Sequence, residues 1–177
     1  MPAPSALPDL LRDELKVVFC GLNPGLRAAA AGRHFEGRSN RFWPVLHLAG
    51  FTPTLFTPQD DARLPDFGYG LTTVVARATA GVEALSRDEF LTAGRDLEAK
   101  IRRRRPRFVA FLGKAAYAAL SESREVAWGR QSDSFGGAGV WVLPNPSGRN
   151  RSFALTNLVD AYRELHTAAE ARTTPTP

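Results

Sequence analysis

Two asparagines, each set in a stiff turn, are the residues of this chain best suited by type and spacing to do chemistry. Asn23 lies in Gly21-Leu22-Asn23-Pro24-Gly25, where two glycines and a proline make a rigid turn that brings the backbone close to a ligand. Asn145 lies in Pro144-Asn145-Pro146-Ser147-Gly148-Arg149-Asn150-Arg151, a second stiff turn followed by a small residue and a basic tip. A carboxamide offers two N–H donors and one carbonyl acceptor. It can orient a water or hold a developing anion, but a neutral amide is a very weak base. Either turn alone reads as ordinary loop chemistry; two of similar character point to one shared site.

Other constellations are weaker. Gly113-Lys114 resembles the end of a phosphate-binding loop, but Phe108 stands where the first glycine of GxxxxGK belongs, which argues against nucleotide hydrolysis. Lys114 at a helix start could still meet a phosphate, or be a plain surface lysine. His34, His47 and His166 show no metal-ligand spacing. Cys20, the only cysteine, falls in an apolar run and reads as inert core. With one cysteine there is no intramolecular disulfide or thiolate zinc cluster, and a reducing cytoplasm fits.

The elements that would position these turns alternate strand and helix. Lys16–Gly21 (KVVFCG), Leu71–Val75 (LTTVV), Phe108–Leu112 (FVAFL) and Val140–Leu143 (VWVL) read as four buried strands. Helices are predicted from Ser39 to about Ala49, from the Ser86/Glu89 capping box to about Arg105, from Lys114 to Leu120, and from Ser152 to Ala169. Residues 22–37 read as a loop, and Pro53–Pro65 as a linker-like stretch with one short helix after Thr57. Strands separated by helices predict an α/β fold, a mainly parallel four-stranded sheet covered on both faces. In such sheets ligands bind outside the carboxyl ends of the strands. Both asparagine turns follow strands, so both belong at that edge.

Length and charge agree with a single domain of 1–177, its core about 16–168 and a disordered tail at 171–177. The 177 residues are 44% hydrophobic and 23% charged, as in a soluble globular protein. No apolar run approaches the roughly 18 residues of a membrane span, and the N-terminus lacks the pattern of a secretory signal. A net charge of +5 and a pI near 10.0 favour a polyanionic partner, nucleic acid first. Arg102, Arg103, Arg104, Arg105 and Arg107 suit a solvated helix end. Arg27, Arg33, Arg38 and Arg41 instead crowd the loop around the first turn.

The motifs GLNPG and NPSG resemble the two signatures of the mismatch-specific uracil- and thymine-DNA glycosylases. The similarity continues through Arg38-Ser39-Asn40-Arg41-Phe42-Trp43, Leu112-Gly113-Lys114-Ala115-Ala116-Tyr117 and Leu158-Val159-Asp160-Ala161-Tyr162-Arg163-Glu164-Leu165, over roughly residues 16–168. The resemblance implies a three-layer uracil-DNA-glycosylase-like sandwich that flips a nucleotide out of double-stranded DNA and hydrolyses its glycosidic bond, as a monomer, with no metal or cofactor. Asn23 matches the catalytic asparagine and Phe35 the aromatic that stacks on the extruded base. Gly21, Leu22, Gly25, Ala28 and Asn145 join them in the base pocket, with backbone N–H groups near Leu22 and Phe35 as donors to the pyrimidine carbonyls. Asn145 stands where the best-known uracil glycosylases have histidine, which implies a modest rate. Ser147, Gly148, Arg149, Asn150 and Arg151 match the intercalating wedge, with arginine where some members have leucine; Lys114 and Asn40 are further DNA-contact candidates.

Two expectations go beyond the motifs. The small residues after Gly25, Ala28 among them, leave room for a 5-methyl group, so the expected substrates are uracil opposite guanine, then thymine opposite guanine and 5-substituted uracils. Asp88, near the start of the capped helix, is the candidate for a carboxylate that assists water activation. The alternatives are a non-catalytic nucleic-acid module that senses lesions, and an enzyme acting on free nucleosides.

Overall fold

Five strands make one sheet in the computed structural model, which describes residues 6–121, 123 and 125–171. They are β1 (Val17–Gly21), β2 (Tyr69–Thr73), β3 (Phe108–Leu112), β4 (Gly129–Phe135) and β5 (Ala138–Leu143), in the spatial order β2-β1-β3-β5-β4. The first three and β5 are parallel, with Cys20 beside Thr72 and Phe111, and Phe111 beside Val142. The expected α/β architecture is present with one strand more than expected. β4 (GRQSDSF) pairs antiparallel at the edge of β5. Its polar, mostly exposed sequence carries no hydrophobic signal, and backbone pairing through the Gly136-Gly137 turn makes it a strand. Both glycines have positive φ (57° and 87°), as a tight hairpin requires. A Cβ on Gly136 would also lie 2.8 Å from the Glu98 carbonyl oxygen.

The sheet is buried on both faces because successive strand residues point opposite ways. Val17 and Phe19 join a core with α2 (Phe42–Ala49) and α5 (Leu155–Glu170). Val18 and Cys20 join the other, under α3 (Arg87–Arg104) and α4 (Lys114–Ser121). Burial pushes the Cys20 thiol far above its usual range, as suits inert core. A short helix absent from the sequence reading, α1 (Leu26–Ala31), occupies the expected loop after β1 and ends at Gly32 in the left-handed region.

Two further expectations are corrected. The second strand lies two residues earlier than predicted, and Val74 and Val75 continue it only by donating to the Gly21 and Leu22 carbonyls. The stretch Pro53–Pro65 is no linker, since Phe56, Asp61 and Leu64 are buried; the short helix expected after Thr57 is present, as a 3-10 helix over Pro58–Phe67. The Asp60 carboxylate caps its start, accepting from the backbone N–H and hydroxyl of Thr57. Residues 172–177 of the expected tail lie outside the described residues.

The chain leaves β1 for β2 on one side while β3 lies on the other. That reversal opens a crevice at the carboxyl ends of the strands. The arginine cluster sits at the opposite edge, where α3 feeds β3. There Arg104 pairs with Asp13 at 2.9 Å, Arg105 with Glu14 at 3.6 Å, and Arg107 donates to the Ala169 and Ala171 carbonyls. No helix among the described residues is long and apolar enough to cross a membrane.

Candidate active site

A cavity of about 500 Å³ occupies that crevice. Of the residues singled out by sequence, Gly21, Leu22, Asn23, Gly25, Ala28, Phe35, Asn40, Asn145, Ser147, Gly148 and Arg149 all line it. Four do not. Asn150 and Arg151 lie farther along the same turn, and Lys114 sits over the Trp128 ring, 4.6 Å from its centroid. Asp88 is exposed in the first turn of α3, away from the cavity, because the capped turn of that helix faces solvent.

The two amides are held in opposite senses. Asn23 Nδ2 donates to the Arg77 carbonyl at 3.0 Å and to Thr79 Oγ1 at 2.7 Å. A carbonyl can only accept, so the amide orientation is settled by chemistry. Thr79 Oγ1 in turn donates to the Gly81 carbonyl at 2.8 Å, which leaves its lone pairs to Asn23. With both Nδ2 protons committed, Asn23 offers the cavity its Oδ1 acceptor. Asn145 is the reverse: its Oδ1 accepts the Ser147 N–H at 2.9 Å, so the Nδ2 donors are the end it can offer.

Thr79 and Arg77 carry no sequence signal, since they lie in irregular chain between β2 and α3. Contacts fix them. Thr79 bridges Gly25 across the chain, and its N–H donates to the Pro24 carbonyl. Arg77 grips Glu89 of α3 at 2.8 and 3.0 Å and the Ala84 carbonyl at 2.8 Å. Hydrogen bonding from Arg77 holds the Glu89 carboxyl below its usual range. The capping box is therefore half formed: Ser86 Oγ accepts the Glu89 N–H, while the Glu89 side chain serves Arg77.

Phe35 stands on a rigid base. Its ring stacks on buried Phe42 with centroids 3.8 Å apart and meets Trp43 edge-on at 6.3 Å. One face is covered and the residue still lines the cavity. Its φ is +56°, a conformation costing a non-glycine residue of order 1–3 kcal/mol. The surrounding loop is pinned by Trp43 Nε1 donating to the His34 carbonyl and by buried Asp61, which accepts from the His34 N–H and the Arg33 guanidinium at 3.0 Å each. The misread linker segment thus anchors the aromatic loop.

The second turn is clamped onto the first loop. Arg41, given no role of its own by the sequence, donates to the carbonyls of Ser147, Asn150 and Phe153, and its N–H to Pro146. Asn40 Oδ1 accepts the Phe42 N–H at 2.9 Å, so this candidate also satisfies the first backbone N–H of α2. A Cβ on Gly148 would come within 2.5 Å of Ser39 Cβ and 2.6 Å of its carbonyl oxygen; only glycine lets the loops touch. Arg149 projects from this contact, exposed, its N–H tied to Ser147 Oγ. The histidines are separately engaged: His34 Nε2 with the Pro8 carbonyl, His47 Nδ1 with the Thr52 carbonyl, and His166 against the Phe51 ring.

One cavity thus presents an acceptor amide, a donor amide, a stacking ring and a basic tip. The family model of the uracil DNA glycosylase superfamily matches residues 8–166. The fold is similar to the solution structure of a Methanosarcina acetivorans protein provisionally assigned as a uracil DNA glycosylase, with a TM-score of 0.62 at 19% identity, covering 92% of this chain and 98% of that one.

Proposed function

Because the chain belongs to the uracil DNA glycosylase superfamily, and so to a family of hydrolases acting on DNA, we propose that it is a mismatch-specific member. It removes uracil opposite guanine and leaves an intact abasic site. The observation that carries this reading is the opposed presentation of the two amides, Asn23 by its oxygen and Asn145 by its nitrogen, in one cavity with Phe35.

Breaking the glycosidic bond of a deoxynucleotide builds positive charge on the sugar and negative charge on the departing base. Asn23 Oδ1 accepts a hydrogen bond from the attacking water and points its lone pair at the sugar carbon. Asn145 Nδ2 donates to the base as it becomes anionic. Both groups are neutral, so the expected enzyme is slow compared with one using a carboxylate and an imidazole in these places. The extruded pyrimidine stacks on Phe35, worth about 1–3 kcal/mol. Arg149 fills the space the base has left and donates to the widowed guanine.

Ala28, small and buried at the cavity wall, supports the extension to thymine opposite guanine and to uracils with small 5-substituents. A mispaired base is also cheaper to extrude. We further propose that the enzyme acts as a monomer, forms no Schiff base and uses no metal. The test is a strand-cleavage series after alkali, with labelled duplexes carrying U opposite G, U opposite A and T opposite G, beside free deoxyuridine. The expected order is U·G first, T·G slower, and no action on the free nucleoside. Binding without cleavage would identify a lesion-sensing module instead, and equal action on deoxyuridine a nucleoside hydrolase.

A further inference from the structure

Asn23 can aim a water but cannot take its proton, so the reaction proposed above leaves a proton unassigned. Glu36 is the only acidic side chain among the described residues lining the cavity. Its Oε2 is buried and has no hydrogen-bond partner among the described residues, a costly state for a carboxyl oxygen. Three other carboxylates near the crevice are spent on partners. Asp61 holds Arg33 and the His34 N–H, Glu89 holds Arg77, and Asp9 accepts from Thr72 and pairs with Lys100. Glu36 follows Phe35 in the chain and precedes Gly37. Both neighbours are in the left-handed region, with φ of +56° and +122°, so the backbone commits two unusual conformations to presenting this residue.

We propose that Glu36 is the proton acceptor for the attacking water, a catalytic residue in the role first sought in Asp88. The proposal rests on the glycosylase reading. In the step, the water oxygen bonds to the sugar C1′ while the C1′–N1 bond breaks and its electron pair leaves on the base. The proton released from the water passes to Glu36 and from there to solvent. The negative charge of Glu36 also favours the cationic sugar at the transition state. Arg27 from α1, His34 from the same loop and Arg149 from the second turn are the other titratable side chains lining the cavity. Of these, His34 keeps its Nε2 on the Pro8 carbonyl, 2.8 Å away.

The experiment measures single-turnover cleavage of a U·G duplex by wild type, Glu36→Gln and Glu36→Asp. Alongside, it measures binding to the same duplex carrying a non-cleavable 2′-fluoro nucleotide, and thermal melting. Glu36→Gln should lower the chemical rate by about 10²-fold or more and bind within about threefold of wild type. Glu36→Asp, keeping the carboxylate, should recover part of the lost rate. Wild-type-like rates in Glu36→Gln would overturn the proposal, as would a rate loss matched by an equal loss of binding. If wild type fails to cleave, the glycosylase reading falls and the proposal with it; cleavage by wild type and Glu36→Gln alike sinks the proposal alone.

Discussion

Replacing Thr79 with valine removes one hydroxyl from behind the site and nothing from the cavity's shape. Thr79 is 7% exposed, and its Oγ1 both accepts from Asn23 and donates to Gly81. Valine matches its volume, so the variant should fold. Its stability should drop by about 1–2 kcal/mol, since two hydrogen bonds of about 0.5–1.5 kcal/mol net are lost and one carbonyl loses its donor. The effect on chemistry is separable. Asn23 keeps its bond to the Arg77 carbonyl but loses the second tether, and the amide can then rotate its acceptor away from the water. Losing about 1.4 kcal/mol of orientation is a tenfold slower step. The assay is single-turnover removal of uracil from a U·G duplex at saturating enzyme, with duplex affinity measured separately. Thr79→Val should be about tenfold slower with affinity unchanged, and Thr79→Ser, which restores the hydroxyl, should recover most of the rate. If valine and serine variants cleave equally fast, Thr79 does not position Asn23 and the account of how that amide is oriented is wrong.

Three further outcomes are expected. Arg149→Ala should weaken binding to a mismatched duplex and reduce preference for guanine opposite the lesion by about 1–3 kcal/mol; unchanged affinity and preference in a binding titration would make the tip a surface turn. Ala28→Val should suppress action on T·G more than on U·G in parallel rate measurements, whereas equal losses would mean the methyl group does not meet Ala28. Stability should fall on acidification. Burial holds His166 below its ordinary 6.5. Hydrogen bonds hold the carboxyls of Glu170 (Lys16 and Tyr69) and Glu89 (Arg77) below 4.5, and that of Asp60 (Thr57) below 3.8. All four groups bind fewer protons folded than unfolded, so their stabilisation is present above those ordinary values and lost as pH falls through the depressed ones. Melting curves should therefore show a shallow decline below about pH 6.5 and a steeper one below about 4.5; a melting temperature constant from pH 7 to 4 would contradict this.

The fold was legible where burial imposes a pattern. FVAFL and KVVFCG are covered on both faces and read as strands from their apolar runs, and α3 declared itself through Ser86. β4 was not legible, because an edge strand held by backbone pairing needs no apolar face. Pro53–Pro65 misled because its prolines and charges resemble a linker, while what keeps it in place is buried Phe56 and Leu64 and the buried carboxylate of Asp61, whose partners lie 27 and 28 residues back. The site divides in the same way. Asn23, Phe35 and Asn145 could be found from their motifs. Thr79, Arg77 and Arg41 could not be assigned positions, since each acts through contacts that only the folded chain creates. Asp88 was chosen by proximity to a helix start. Glu36 stood one residue from Phe35, and only the fold shows that it is the acidic residue lining the cavity.

The most direct test of the central claim compares wild type and Asn23→Ala on one labelled U·G duplex, quantifying free uracil and alkali-labile abasic sites in a single turnover. The expected result is removal of uracil by wild type and a rate about 10²–10⁴-fold lower for Asn23→Ala, with both proteins binding the duplex alike. Uracil left in place by the wild type, or full activity retained by Asn23→Ala, would contradict the account.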